Sequence, residues 1–319
     1  MKNKLLTSVA ALSMVALTAC DKGGSDFSVK STTNQYQQAL SFVPRKLDVL
    51  FVVDNSGSMA TSQANLANNF PSFINYFTSK GYDFKIAVTT TDAYLLGGRE
   101  KFKSGTNPKI YVIDPSTPNI TSVFSANSQV GTSGSGTERA FKSFQEALNS
   151  SSNAGFHRAD AYLSIVIISD EDDTSSDSIP GYKTYLEGFT GGTSPADFSV
   201  SAITVTDSAC ASQVGTYIGT RHMNLANLTG GTVGSICSPF NTILDSISAN
   251  IASQTQAVFN LGKKAVVSTI RVWVNGVVVP QDASNGWTYD AVNFTITIKG
   301  TFSPAAGDQI MIDFDPDYT

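Results

Sequence analysis

Apolar residues in this chain gather in short continuous runs, separated by longer stretches with helical spacing. The first run, Leu47–Val53, is apolar except at Asp48 and leads into Asp54-Asn55-Ser56-Gly57-Ser58. A run of this length reads as a strand buried on both faces. Beyond it Leu66, Phe70, Phe73, Ile74 and Phe77 recur at intervals near three and four, which predicts a helix over roughly Ser58–Lys80. Further strands are expected at Asp83–Thr90, Tyr162–Ser169, Phe198–Val205 and near Thr232–Ile236. Further helices are expected at Thr137–Leu148, His222–Leu228 and Pro239–Ala252. This alternation from residue 45 to 256 predicts an α/β class, with a doubly wound, mostly parallel, Rossmann-like sheet. Residues 91–130 are rich in Gly, Pro, Ser and Asn and read as a long surface excursion.

The period changes near Ala257. Ala265–Val274, Val277–Pro280, Trp287–Tyr289, Val292–Lys299 and Gln309–Phe314 read as strands, and Asn275-Gly276 is a strong hairpin signal. Phe294, Ile296 and Ile298 alternate with Thr295 and Thr297, so one face is buried and the other wet. Residues 257–319 are expected to form a β-sandwich-like all-β module, small enough to need packing against its neighbour. Trp273 and Trp287 read as packing residues of that module.

Composition adds limits. The 319 residues suggest about two domains, and 41% hydrophobic with 15% charged residues describes a globular chain. A net charge of −5, without basic clusters, argues against nucleic acid as a partner. At the N-terminus Lys2 and Lys4 precede an apolar segment, Leu5–Ala19, too short for a permanent span. Its end, Leu17-Thr18-Ala19-Cys20, resembles the bacterial lipobox. That resemblance implies a signal peptide over 1–19, acylation of Cys20, and a polar tether over 20–44 joining the lipid to the domain. It also implies a place in the bacterial cell envelope, at the outer membrane or cell surface rather than on the periplasmic side of the inner membrane. With Cys20 lipidated, Cys210 and Cys237 remain as a disulfide pair in an oxidising compartment. Two free buried thiols are the other reading.

The chemistry concentrates at predicted strand ends, where doubly wound sheets bind ligands. Three loops carry it: Asp54, Ser56 and Ser58; Gly134-Ser135-Gly136-Thr137 before a helix; and Ser169-Asp170-Glu171-Asp172-Asp173 after a strand. Such hard oxygen donors suit Mg²⁺, Mn²⁺ or Ca²⁺ rather than zinc or copper. The three loops, in this order, resemble a von Willebrand factor A domain bearing a metal-ion-dependent adhesion site. The resemblance implies metal ligation by Asp54, Ser56, Ser58, Ser135 and Asp170, with Thr137 as the fallback hydroxyl. Glu171, Asp172 and Asp173 would be ligands or lie just behind them. Ser135 stands where the family usually has Thr, and Glu171 where it usually has Gly. Competing readings are local: Ser56 and Ser58 as helix caps, Glu171–Asp173 as a solvated acidic loop, and His157 and His222 as surface or packing residues.

The family binds a partner's Asp or Glu at a metal position left open. The function this implies is that of a lipid-anchored cell-surface or periplasmic adhesin. It would take a protein or glycoconjugate on another cell or in the envelope, through Mg²⁺ or its substitutes Mn²⁺ and Ca²⁺. An envelope scaffold organising a partner of the same cell is the alternative. A metal-dependent hydrolase fits poorly, because a Ser occupies position 56 where a phosphatase carries Asp, and only two His are available. The chain is therefore expected not to be an enzyme.

Overall fold

The computed structural model describes residues 36–318. The segment read as a signal peptide, Cys20 and most of the expected tether lie outside them. In chain order the elements are β1 (Tyr36–Ser41), β2 (Lys46–Val53), α1 (Ala60–Ser79), β3 (Phe84–Thr90), β4 (Val112–Ile113), α2 (Ile120–Ser128), α3 (Ala140–Asn149) and β5 (Ala161–Ile168). They continue with α4 (Ile179–Thr190), β6 (Phe198–Thr204), α5 (Ser208–Val214), α6 (Thr220–Leu228), β7 (Val233–Ser235) and α7 (Phe240–Gln254). The last are β8 (Ala257–Asn260), β9 (Arg271–Val274), β10 (Val277–Val279), β11 (Trp287–Asp290), β12 (Thr295–Ile298) and β13 (Gln309–Phe314). No described helix is long and apolar enough to cross a membrane.

Six strands form the main sheet in the order β4-β3-β2-β5-β6-β7. All neighbours are parallel except β4, which runs antiparallel to β3. The chain winds outward from β2 to β3 and then returns to β5 on the other side. The topological switch point therefore lies between β2 and β5, and ligands of such sheets bind outside the carboxyl ends of those strands. The period of two along β2 sends Leu47, Val49, Phe51 and Val53 into the core beneath α1, α2 and α7. Leu50 and Val52 enter the opposite core with Phe141, Phe144, Tyr182 and Leu225. Both faces of the strand are dry, which is why it reads as an unbroken apolar run.

The segment 91–130 is more than a surface excursion. It contains β4 and α2, and Phe124 of α2 is fully buried, stacked on Phe70 with ring centroids 3.7 Å apart. The Gly- and Ser-rich flanks masked a helix of only nine residues. Helices α4 and α5 were likewise not anticipated, although Ser178 accepts a capping hydrogen bond from Gly181 N at 3.1 Å in the manner of an ordinary helix start. Cys210 and Cys237 form a disulfide, joining α5 to the β7–α7 connection.

The all-β part is built from both ends of the described chain. Sheets β1-β13-β9-β10 and β11-β12-β8 enclose Phe259, Val272, Trp287, Ile296, Ile298 and Ile312. Strand β1 pairs with β13 from Tyr36↔Phe314 to Ser41↔Gln309. Residues 36–41, expected within the tether, are thus an edge strand of this module. Main-chain pairing holds it, and its polar sequence gave no sign of this. The module docks on the turn between α1 and β3, where Lys80 Nζ donates to Ser303 O at 2.5 Å and Ala306 N to Lys80 O at 2.9 Å. Gly81 (φ +67°) sits in that turn, and a Cβ there would lie 2.9 Å from Ala306 Cβ. This turn is at the amino ends of the parallel strands, so the module sits at the pole opposite the switch point.

Candidate metal centre

Strand β2 ends where its polar sequence begins, and delivers Asp54 to the switch point with its side chain fully buried. One carboxylate oxygen accepts from Ser56 N at 2.7 Å and the other from Ser169 Oγ at 2.6 Å. Ser169 belongs to the loop after β5, so the first and third loops are joined through Asp54 itself. The second loop is stitched to the first by Gly134 N, which donates to Asn55 O at 2.8 Å. A Cβ at Gly134 would fall 2.4 Å from the Asn55 side chain, so only glycine permits this approach. The second and third loops are joined by Thr174, whose backbone N–H donates to Glu138 O at 2.8 Å. Buried Gln63 of α1 donates to both Asp54 O and Gly131 O, fixing the helix to two of the loops.

The hydroxyls at the site are not spent on helix capping. Helix α1 begins at Ala60 with Met59 as its cap residue and takes no side-chain cap. Ser56 Oγ and Ser58 Oγ instead lie 3.3 Å from one another. Ser135 Oγ accepts from Thr137 N at 3.0 Å, and Ser135 N is directed at the Asp92 carboxylate at 3.2 Å. Thr137 is exposed. These bonds hold the loops carrying Asp54, Ser56 and Ser58, Ser135, and Asp170 against one another at the carboxyl ends of β2 and β5.

The acidic run after Asp170 divides into different roles. Asp172 Oδ1 accepts from Arg221 N at 2.8 Å in the first turn of α6. Asp173 is buried rather than solvated. It accepts from Phe141 N of α3 at 3.1 Å, from Ser175, and from Arg221 Nε at 3.1 Å. Both side chains are thus committed to the amide-rich starts of two helices, where negative charge is favoured. They brace the loop, Asp172 through Oδ1 and Asp173 through both oxygens. Glu171, half-buried, remains with the site. Its carboxyl is pushed up by burial and then by the charges of Asp54 and Asp170.

Glu138 is the residue that sequence reasoning passed over. It precedes α3, is 1% exposed, and neither carboxyl oxygen has a hydrogen-bond partner among the described residues. Burial and then the charge of Asp54 push it up to about 8, with smaller contributions from Glu171 and Asp92. The Thr91 hydroxyl opposes this, and it also donates to Asn55 Oδ1 at 3.4 Å. Asp54 is also raised, chiefly by burial and further by Asp170, against the hydrogen bonds from Ser169 and Ser56. Asp170 Oδ1 is buried and unpartnered among the described residues. Buried carboxylates facing each other without a compensating cation are costly. A divalent ion would relieve both the desolvation and the repulsion.

Among the described residues no three His, Cys, Asp or Glu side chains gather closely enough to hold an ion by themselves. An ion here must complete its shell with serine hydroxyls and water, which is how Mg²⁺ is usually bound. The donor set fits that group: two strand-end carboxylates, one of them with an orphaned oxygen, and three hydroxyls.

No family model and no curated protein matches the sequence. Solved structures do match its fold. A von Willebrand factor type A protein from Catenulispora acidiphila is 14% identical, with a TM-score of 0.42, covering 89% of this chain and 61% of that one. The pilus adhesin SpaC from Lactobacillus rhamnosus GG, in its open conformation, is 10% identical with a TM-score of 0.45, covering 90% and 41%. Proximal thread matrix protein 1 from the mussel byssus, with a zinc-occupied adhesion-site motif, is 13% identical with a TM-score of 0.41, covering 68% and 48%. The chain thus spans 61% of the first and less than half of the other two.

Proposed function

We propose that this chain is a divalent-cation-dependent binding module of the von Willebrand factor A type, which holds a partner's acidic group at the switch-point metal. The observation that carries this reading is Asp170 Oδ1 and both oxygens of Glu138, buried and without a hydrogen-bond partner among the described residues, near buried Asp54. Asp54, Ser56, Ser58, Ser135 and Asp170 hold the ion, in part through water. The ion supplies a positive charge at a partly dry surface, where an incoming carboxylate gains more than in bulk water. Mg²⁺ is the expected ion, with Mn²⁺ or Ca²⁺ as substitutes.

Adhesion rather than turnover is the role we assign. His222 is fully buried, and His157 lies with Asp48 near the amino end of β2, so neither is placed to act as a general base at Asp54. The all-β module and strand β1 occupy the pole away from the site. A chain anchored through Cys20 would then hold the metal face outward from the membrane. The partner on this reading is a surface protein or acidic glycoconjugate, on another cell or in the envelope.

Calorimetric titration of residues 36–319 with Mg²⁺, Mn²⁺, Ca²⁺ and Zn²⁺ tests the assignment. One ion per chain is expected to bind, with at least a tenfold preference over the Asp54→Ala variant, on the order of 1.4 kcal/mol or more. Equal binding by parent and variant would refute the site.

A further inference from the structure

Beside the metal crevice lies a second, differently charged cleft of about 410 Å³, lined among others by Asn55, Thr90, Asp92, Arg99, Lys103 and Gly131. It shares Asn55 and Asp92 with the site just described. Asn55 Nδ2 donates to Asp92 Oδ2 at 3.3 Å, and Asp92 in turn takes Ser135 N. The two cations of the cleft are loosely committed. Arg99 Nη1 stands 3.7 Å from Asp92 Oδ2, beyond a good hydrogen bond, and its side chain is 56% exposed. Lys103 Nζ donates to a single neutral acceptor, Arg99 O, at 2.9 Å. At the wall, Thr90 is 2% exposed and its hydroxyl has no partner among the described residues. Burial lowers the Lys103 ammonium from its ordinary value, with Asp92 and Glu100 opposing and Arg99 adding to the shift, so a further anion there would stabilise its charged form.

The backbone that carries Arg99 is held in an unusual shape. Leu96 has φ 58° and ψ −150°, a region occupied almost only by glycine, and Arg99 N closes the turn onto Leu96 O at 3.2 Å. Strain of this kind persists where the surroundings over-determine a loop, and here it sets the start of the segment that aims Arg99 at the cleft. Lys103 is fixed from the other side, its N–H on Val88 O at 2.8 Å.

We propose that this cleft is an anion subsite and that the partner is an acidic segment presenting two carboxylates, one to the metal and the second to Arg99, Lys103 and the Thr90 hydroxyl. This deepens the metal-site reading and rests on it. A single carboxylate is common to countless proteins. A second one at fixed spacing selects among them, and guanidinium and ammonium donors make charge-assisted bonds suited to that choice.

The test uses simple carboxylates as probes. Acetate and the α,ω-dicarboxylates from succinate to suberate are titrated, by NMR shift perturbation, into residues 36–319 with and without saturating Mg²⁺. With Mg²⁺, at least one dicarboxylate is expected to bind about tenfold more tightly than acetate, in keeping with added charge-assisted contacts. The double variant Arg99→Ala/Lys103→Ala should lose that advantage while binding acetate and Mg²⁺ as the parent does. Arg99→Lys and Lys103→Arg, which keep the charges, should retain most of it. A dicarboxylate advantage that is absent at every length, survives the double alanine variant, or persists without Mg²⁺ overturns the subsite. Failure of the metal reading is seen separately, as loss of Mg²⁺ binding and of Mg²⁺-dependent acetate binding in the parent.

Discussion

Strand β2 carries a fully buried aspartate near each end, Asp48 and Asp54, and their surroundings differ in one respect. Asp48 is answered. Arg158 meets its Oδ1 with Nε at 3.0 Å and Nη2 at 2.8 Å, the backbone N–H of Arg158 meets Oδ2 at 2.7 Å, and the same guanidinium reaches Asp83 Oδ1 at 2.6 Å. Asp54 is given hydrogen bonds but no countercharge, and Asp170, Glu138 and Glu171 are set around it. The chain pairs a buried carboxylate where it serves the fold, and at the other end of the same strand no countercharge meets Asp54 among the described residues. That contrast is what the proposed metal reading explains.

The sharpest way to break the comparison is to remove Asp48. Asp48→Ala leaves a partly buried guanidinium short of its main partner, and losing half of such a pair costs about 3–5 kcal/mol. The lower part of that range is expected, because Arg158 keeps Asp83. Urea denaturation at neutral pH measures it, and Mg²⁺ affinity in the folded variant should be unchanged. If Asp48→Ala instead weakened Mg²⁺ binding at little cost in stability, the two ends of β2 would not be functionally separate.

A second measurement separates the scaffold under the site from the site. His222 of α6 is fully buried, lies edge-on to Phe141 at 5.6 Å, and is pushed down to about 4 by burial. Asp172 opposes that shift and Arg221 adds to it. Because its folded value is depressed, the unfolded chain takes up a proton near pH 6.5 that the folded chain refuses until about pH 4. Stability from this group is complete above pH 6.5 and is lost as pH falls, by about 3 kcal/mol in all. Denaturation of the parent and of His222→Asn at pH 7 and pH 4.5 should show a shallower acid loss in the variant. An equal loss would place the acid sensitivity in groups other than His222, and outside Asp54, Glu138 and Glu171, whose raised values make falling pH stabilising.

Parts of this contrast are legible in the sequence, and the reasons are physical. A parallel strand buried on both faces leaves an apolar run that stops where side chains reach water, so Asp54, Ser56, Ser58 and Asp170 are visible as polar letters at the ends of such runs. Glu138 is hidden because an acid at the start of an amphipathic helix is the ordinary solvated choice. Its loop is instead tied to the distant Thr174 segment, and Glu138 is buried. Asp172 and Asp173 look like a wet acidic tract because the helix starts they brace, at Phe141 and Arg221, are far away in sequence. Asp92 ends β3 as Asp54 ends β2, in Thr89-Thr90-Thr91-Asp92, a signal that was present but lacked the serines that draw attention to the first loop. Strand β1 gave no signal, since an edge strand is specified by its partner β13 as much as by its own residues. Helix α2 shows the same dependence, its short apolar face being readable only against Phe70.

The smallest effect is also the most discriminating. Asp54→Asn keeps the shape and an acceptor for Ser56 N, and removes one buried charge from a cluster with no cation of its own. Without metal its stability should lie within about 1 kcal/mol of the parent, on the stable side if relief of repulsion outweighs a rearranged bond to Ser169. An ion that binds only the folded parent adds stability by mass action, about 2.7 kcal/mol at a concentration one hundred times its Kd. Mg²⁺ should therefore raise the parent's midpoint in thermal denaturation and leave that of the variant where it was, reversing or widening their order. An aspartate serving only the fold, like Asp48, would give a variant that is weaker by the same amount with and without the ion. That pattern at position 54 would remove the distinction between the two ends of the strand.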